Sequence, residues 1–252
     1  MLTLPTLLAY LDDLLQPKLV QDYCPNGLQV QGRKEIKKLI TGVTACQALL
    51  DAAIAKKADA ILVHHGYFWR GEDARVVGMK QRRLRSLLLN DISLLAYHLP
   101  LDIHAEYGNN AQLGKILAIS LEKTFAAGQV PGLIFVGRFS SPLSATEFTQ
   151  RLRLRLGREP LHISASDKPI ATIAWCTGGA QNFIEQVIDY GVDAYLTGEV
   201  SEQTVHIARE NQLHFFAAGH HATERYGVKA VGEHLADHFK IDHEFIDIEN
   251  PV

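Results

Sequence analysis

Cysteine is scarce in this 252-residue chain: Cys24, Cys46 and Cys176 lie far apart and form no C-x-x-C pair. That excludes a disulfide framework and gives no support to thiolate zinc or iron–sulfur ligation. It suits reduced thiols in a cytoplasmic compartment. Long apolar runs are also missing. The N-terminus is leucine-rich, but Asp12 and Asp13 interrupt it long before the roughly 20 residues a bilayer span needs. Neither a membrane segment nor a signal peptide is expected. There is no excess of one charge: 25 Lys plus Arg face 28 Asp plus Glu, a formal net charge of −3. Such a surface has no global attraction for nucleic acid or anionic membranes. The basic runs Lys34 to Lys38, Lys80 to Arg85, and Arg151, Arg153 and Arg155 read as solvated faces. The phosphate-loop, dinucleotide-binding, nucleophile-elbow and H-E-x-x-H patterns are all absent, so no covalent nucleophile motif is recognisable.

What is present is an ordinary globular composition, 47 % hydrophobic and 21 % charged, enough for one large α/β domain or two modest ones. Leu4, Leu7, Leu8, Leu11, Leu14 and Leu15 recur with helical period behind Thr3, which predicts a capped amphipathic helix. Lys38 to Thr44, Asp59 to Val63 and Ile92 to Tyr97 read as buried strands, with Gln47 to Lys57 and Leu84 to Asn90 as helices between them. Near-continuous apolar strands alternating with helices predict an α/β fold with mixed, mostly parallel sheets covered by helices. The pattern returns at an offset of 134: Gln47 falls on Gln181, Asp51 on Glu185, and Asp59-Ala60 on Asp193-Ala194. This suggests a duplicated α/β unit, one repeat over residues 1–125 and a second, interleaved with it, over 126–252. Thr124 to Ser144, rich in Gly and Pro, reads as turns around a short strand, Leu133 to Val136.

Eleven of the twelve histidines fall in two windows, His64–His104 and His206–His243. Three groups of candidate ligands each follow a predicted strand, where open α/β sheets place their ligands: His64-His65, then His98 with Asp102, then His220-His221 with Glu224. The histidine pair makes best sense beyond the last paired residue of its strand, where both rings can turn to one site. His220 and Glu224, four apart, share a helix face. Five or six N and O donors without sulfur exceed a closed tetrahedral site. Two carboxylates, one able to bridge, suit two divalent ions, with zinc, manganese, iron, cobalt and nickel all open. Two such ions against Asp102 and Glu224 leave positive charge for a bridging water and for anionic substrates. His98 fits as a ligand or as a support for Asp102. His234 and His238, also four apart, read as a solvated helix border. His104, His162, His206, His214 and His243 read as surface or hydrogen-bonded residues.

Several motifs together resemble the Nif-three-like family of dinuclear-metal proteins, often catalogued as GTP cyclohydrolase I type 2 homologues. They are Pro25-Asn26-Gly27-Leu28-Gln29-Val30, Thr41-Gly42-Val43-Thr44, His64-His65-Gly66-Tyr67-Phe68-Trp69, His98-Leu99-Pro100-Leu101-Asp102, Gly108-Asn109-Asn110, Thr197-Gly198-Glu199 and Gly219-His220-His221-Ala222-Thr223-Glu224. The resemblance runs from about Asp22 to Asp247 and is to short bacterial members. It implies two intertwined α/β repeats, a two-metal site and a ring-shaped homohexamer. It also implies His64, His65, Asp102, His220 and Glu224 as ligands, with Glu224 as the bridge. The expected activity is metal-dependent hydrolysis of a nucleotide or related heterocycle through a metal-bridging water. Glu199 is the candidate for proton transfer or substrate contact, and Tyr67 and Trp69 either stack on a base or simply pack. The expected partner is a small, phosphorylated molecule, with no membrane or nucleic acid. The competing expectation is a metal-stabilised ring that binds a protein or nucleic acid and catalyses nothing.

Overall fold

A computed structural model describes residues 2–252, which divide into two compact units. The first takes the chain up to Gly108 and Gly227–Glu249; the second takes Asn109–Tyr226 and Asn250–Val252.

The first unit begins with β1 (Leu2–Thr3) and α1 (Leu4–Leu15). Thr3 caps the helix by accepting from Thr6 N at 3.3 Å, and Gln16, at φ 48°, ends it. Then come β2 (Gly27–Val30), β3 (Glu35–Ile36), β4 (Lys38–Thr44), α2 (Gln47–Ala55), β5 (Ala60–His65), α3 (Gly78–Leu89), β6 (Ser93–Ala96) and α4 (Leu99–Ile103).

The second unit holds α5 (Asn109–Ile116), β7 (Ser120–Ala127), β8 (Val130–Leu143), α6 (Ala145–Leu156), β9 (Leu161–Ile163), β10 (Ile170–Trp175), α7 (Ile184–Ile188), β11 (Ala194–Thr197), α8 (Glu202–Glu210) and β12 (His214–Ala217). The long α9 (His220–Phe239) starts in this unit and continues in the first, where β13 (Asp242–Phe245) follows. No described helix is long and apolar enough to cross a membrane.

The five-stranded sheet of the first unit runs β13-β4-β5-β6-β2, parallel except for β2. Its central strands β4, β5 and β6 are buried on both faces, and the period of two sorts their side chains into two cores. Leu39, Leu62 and Leu95 join Leu7 and Leu11 of α1 with Val231 and Leu235 of α9. The alternate residues Ile40, Ile61, Val63 and Leu94 join Leu49 and Leu50 of α2 with Leu84 and Leu87 of α3. The second unit's sheet, β7-β8-β10-β11-β12-β9, is mixed, with parallel strands β10, β11 and β12 at its centre. Trp175, Leu196 and Phe216 pack there against Phe148, Leu152 and Leu156 of α6. The fold is therefore mixed α/β with mostly parallel strands, as expected.

One polar device recurs at the 134-residue offset. Asp59 Oδ2 accepts from Lys37 N and Lys38 N at 2.8 and 2.9 Å. Asp193 Oδ2 accepts from Ala171 N and Thr172 N at 3.0 and 2.8 Å. In both units the aspartate precedes the middle parallel strand and satisfies two amides at the start of its neighbour.

Three local expectations need correction. Residues 124–144 are not turns around a short strand: β8 runs fourteen residues and pairs with both β7 and β10. The glycines there read as breakers, but a Cβ on Gly137 would sit 2.2 Å from Ser120 O, so glycine permits close strand approach. His64 and His65 lie within β5 rather than beyond it, and Thr44 pairs with His65. His238 is exposed as a border residue is, but His234 is partly buried and hydrogen-bonded rather than solvated. His234 Nε2 and Nδ1 sit 2.6 and 3.0 Å from the hydroxyls of Tyr10 and Tyr107, and His238 stacks on Tyr10.

Candidate metal centre

In the first unit the candidate residues gather at the C-terminal ends of β5 and β6. His64 is fully buried, and its Nδ1 donates to Tyr97 O at 3.1 Å. A carbonyl can only accept, so that bond fixes the tautomer and leaves Nε2 as the basic nitrogen. Nε2 lies 3.5 Å from Oδ1 of Asp102, which is buried on α4. His65 Nδ1 is 3.2 Å from Thr44 Oγ1. Gln29 holds the turn that follows, accepting from Tyr67 N at 2.7 Å and donating to Tyr67 O at 3.0 Å. Ligand atoms of His64, His65 and His98 lie within 4.8 Å of one another.

His98 O accepts from Asp102 N at 3.2 Å, but the imidazole turns to Asp22 instead. Its Nδ1 donates to Asp22 Oδ1 at 2.8 Å, and Asp22 also accepts from Asn26 Nδ2, Tyr23 N and Leu99 N. Burial would raise the Asp22 carboxyl, but the His98 contact, with help from Asn26 and Tyr23, holds it down at about 2. Asp22 and Asn26 escape notice as functional residues in the sequence, since an isolated Asp and Asn carry no spacing signal. Cys24 also approaches His98 and Asp22. Burial and the Asp22 charge push its thiol up to about 12, which disfavours the thiolate. Tyr67 is buried and donates to Ala45 O at 2.7 Å, so it packs. Trp69 meets His98 edge-on at 5.0 Å.

The second unit gathers its candidates at the ends of β10, β11 and β12. His220 opens α9 with Nδ1 2.6 Å from Glu199 Oε1 and Nε2 3.2 Å from Glu224 Oε2. Burial alone would lower His220; the bonds and charges of Glu224 and then Glu199 outweigh it and push the imidazole up to about 9. Glycines make room for this group. Gly178, at φ +70°, places its missing Cβ 2.1 Å from Glu224 Oε1 and 3.1 Å from His220 Nε2. Gly198 faces His220 Cα at 2.6 Å in the same sense. Thr223 Oγ1 accepts from Gly178 N at 3.1 Å, and Asn110 Oδ1 accepts from Thr177 N at 3.0 Å, fixing the loop. His221 donates its backbone N–H to Val252 O at 3.0 Å.

The two groups share one chemistry. Each presents a histidine whose Nδ1 is committed to a protein oxygen and whose Nε2 faces a carboxylate: His64 with Asp102, and His220 with Glu224. That is how proteins orient imidazoles toward cations, with the outer partner setting tautomer and basicity. The donors are nitrogen and oxygen, suited to divalent transition metals. The residues fit the group that the sequence motifs imply.

The profile of the Duf34/NIF3 (NGG1p interacting factor 3) family matches residues 2–251. A Pseudomonas aeruginosa protein named GTP cyclohydrolase 1 type 2 homolog is 57 % identical over 251 residues, covering 100 % of this chain and 99 % of that one. A solved structure of protein ybgI, described as of unknown function, superposes with a TM-score of 0.96 at 47 % identity, covering 100 % of both chains. The crystal structure of TTHA1606 from Thermus thermophilus gives 0.90 at 32 % identity, again covering 100 % of both chains. The chain therefore belongs to the Duf34/NIF3 family.

Proposed function

We propose that the protein is a dinuclear metal-dependent hydrolase acting on a nucleotide or related heterocycle. His64, His65 and Asp102 of the first unit and His220 and Glu224 of the second are its ligands, with Glu224 as the bridge. The observation that carries this reading is the paired arrangement of His64 and His220, each locked at Nδ1 with Nε2 turned to a carboxylate. Two bound divalent ions, zinc, manganese, iron, cobalt or nickel, would supply Lewis acidity and lower the pKa of a coordinated water.

The protein's own residues supply the rest. Tyr97 O and Glu199 hold the two imidazoles in register, and Asp22 holds His98 beside His64 and His65. Glu199, half-exposed and bonded to His220, is placed to accept or return a proton at its carboxylate. Trp69 stands edge-on to His98, where it can border a planar heterocycle. The nucleotide character of the substrate is taken from relatives named GTP cyclohydrolase 1 type 2 homolog. The homohexamer and a cytoplasmic location belong to the same proposal and rest on the sequence motifs and on three cysteines not joined in disulfides.

The test is purified protein assayed for metal content by elemental analysis and screened for turnover of GTP, phosphoesters and cyclic amides. His64→Ala and Glu224→Ala should each lose metal and turnover together. Fully metallated protein that turns over none of these while retaining a macromolecular partner would establish the scaffold reading instead. Sedimentation analysis tests the hexamer.

A further inference from the structure

His98 lies between β6 and α4 and is held far more firmly than a solvated histidine needs. Two residues of the segment before β2 clasp it at backbone and ring. Its backbone N–H donates to Asn26 Oδ1 at 2.7 Å, and its Nδ1 lies 2.8 Å from Asp22 Oδ1. Asp22 Oδ2 accepts in turn from Asn26 Nδ2 at 2.9 Å and from Leu99 N at 3.0 Å. A carboxylate can only accept, so Nδ1 carries the hydrogen and Nε2 is left as the basic nitrogen. Nε2 meets no hydrogen-bond donor among the described residues. The ring lies against the histidine pair, its centroid 5.0 Å from that of His64 and 5.7 Å from that of His65.

The same device recurs in the second unit at an offset of 122 residues. His98 follows β6 and precedes Asp102 by four, as His220 follows β12 and precedes Glu224 by four. Each histidine gives Nδ1 to a carboxylate of its own unit: Asp22 for His98, and Glu199 for His220 at 2.6 Å. A carboxylate behind an imidazole fixes its tautomer and raises its basicity toward a cation. The two units differ in the inner carboxylate. Glu224 faces His220 Nε2 at 3.2 Å, whereas Asp102 faces His64 Nε2 at 3.5 Å and leaves the His98 ring to its imidazole neighbours. Ligand atoms of His64, His65 and His98 lie within 4.8 Å of one another. Two nitrogens on one ion, each about 2.0–2.1 Å from it, stand at most about 4.2 Å apart, so small ring rotations bring His98 onto a cation beside the pair.

We propose that His98 is a further metal ligand, giving Nε2 to an ion at the His64–His65 pair and oriented for that task by Asp22. His98 stands outside the ligand set that the sequence motifs imply. An added imidazole favours zinc, iron, cobalt or nickel there and discriminates against magnesium and calcium, which take oxygen ligands. The inference rests on the proposed metal centre, but not on the reaction proposed for it.

The experiment loads the protein with cobalt(II), whose ligands show as contact-shifted proton resonances, and with zinc for affinity. Wild type, His98→Gln, Asp22→Asn and the exposed control His238→Gln are compared, and melting of each metal-free protein is measured. The Nδ1–H of His98 should appear among the contact-shifted, exchangeable resonances of wild type and be missing from His98→Gln. In zinc competition titrations Asp22→Asn should weaken binding about 10–100-fold, the worth of an outer partner, and His98→Gln at least as much. His238→Gln should bind as wild type does. Wild-type zinc affinity and stoichiometry in a folded His98→Gln overturn the proposal. If His98→Gln does not fold, the wild-type cobalt spectrum decides. A contact-shifted N–H assigned to His98 through its proximity to Asn26 supports the proposal, and a His98 N–H without that shift refutes it. Loss of metal in His98→Gln, with wild type hydrolysing nothing, leaves this inference standing while the hydrolase reading falls. Turnover of GTP by wild type, with full metal binding in His98→Gln, does the reverse. A wild type that binds no metal overturns both.

Discussion

Gly178→Ala is the most incisive single change, because it separates backbone strain from damage to the site. Gly178 sits at φ +70°, where an alanine is strained by about 1–2 kcal/mol. Its new Cβ would also lie 2.1 Å from Glu224 Oε1 and 3.1 Å from His220 Nε2. The first distance is far inside van der Waals contact, and Glu224 is buried, so its carboxylate cannot swing into solvent without unpacking α9. Gly128 provides the matched control: it adopts φ +56° with nothing within 4 Å of its missing Cβ. Gly128→Ala should therefore cost strain alone, about 1 kcal/mol, which is roughly 2–4 °C in Tm for a chain of this size. Gly178→Ala should cost at least as much and, in addition, displace Glu224 and His220 as a pair. Elemental analysis after loading with zinc or manganese should find less metal bound by Gly178→Ala and full metal in Gly128→Ala. Full metal in both, with equal melting shifts, would refute the placement of Glu224 and His220 as ligands.

Further outcomes follow from other contacts. Glu199→Gln keeps the shape of the side chain but removes the charge that helps hold His220 high, so metal affinity should fall about 10–100-fold in a zinc competition titration. Asp59→Ala and Asp193→Ala each leave two strand amides without their carboxylate acceptor and should each destabilise by about 2–3 kcal/mol in urea melts. Near-wild-type midpoints would contradict the accounting for those amides. Ser144 and Glu147 form a reciprocal capping box at the start of α6, so Ser144→Ala should cost about 1 kcal/mol. The Glu147 carboxyl is held below its ordinary 4.5 by the Ser144 hydroxyl and amide. Its contribution is therefore complete above pH 4.5 and is lost as pH falls through the lowered folded value. The difference between wild type and Glu147→Gln should shrink over that acid range in a pH series of melts.

Much of the architecture is written in local pattern. The leucine period behind Thr3 specifies α1, and the apolar runs that become β4, β5 and β6 specify strands buried on both faces. The 134-residue offset is informative down to single hydrogen bonds, since Asp59 and Asp193 cap equivalent strands. Local reading failed where glycine has a tertiary purpose. Residues 124–144 carry the composition of a loop, yet Gly137 is there because β7 runs too close for a Cβ. His234 was misread for a related reason: Tyr10 and Tyr107, remote in sequence, bond its ring, while His238 stays exposed with its ring stacked on Tyr10.

By itself the sequence determined the α/β class, the candidate donors and their attachment to strand ends, because hydrophobic period and side-chain chemistry are local properties. It could not determine the partners that give those donors their states. Tyr97 O sets the tautomer of His64, Glu199 locks His220, and Asp22 claims His98, across separations of 33, 21 and 76 residues. Protonation and orientation depend on what surrounds a group in space, and only the tertiary structure decides that.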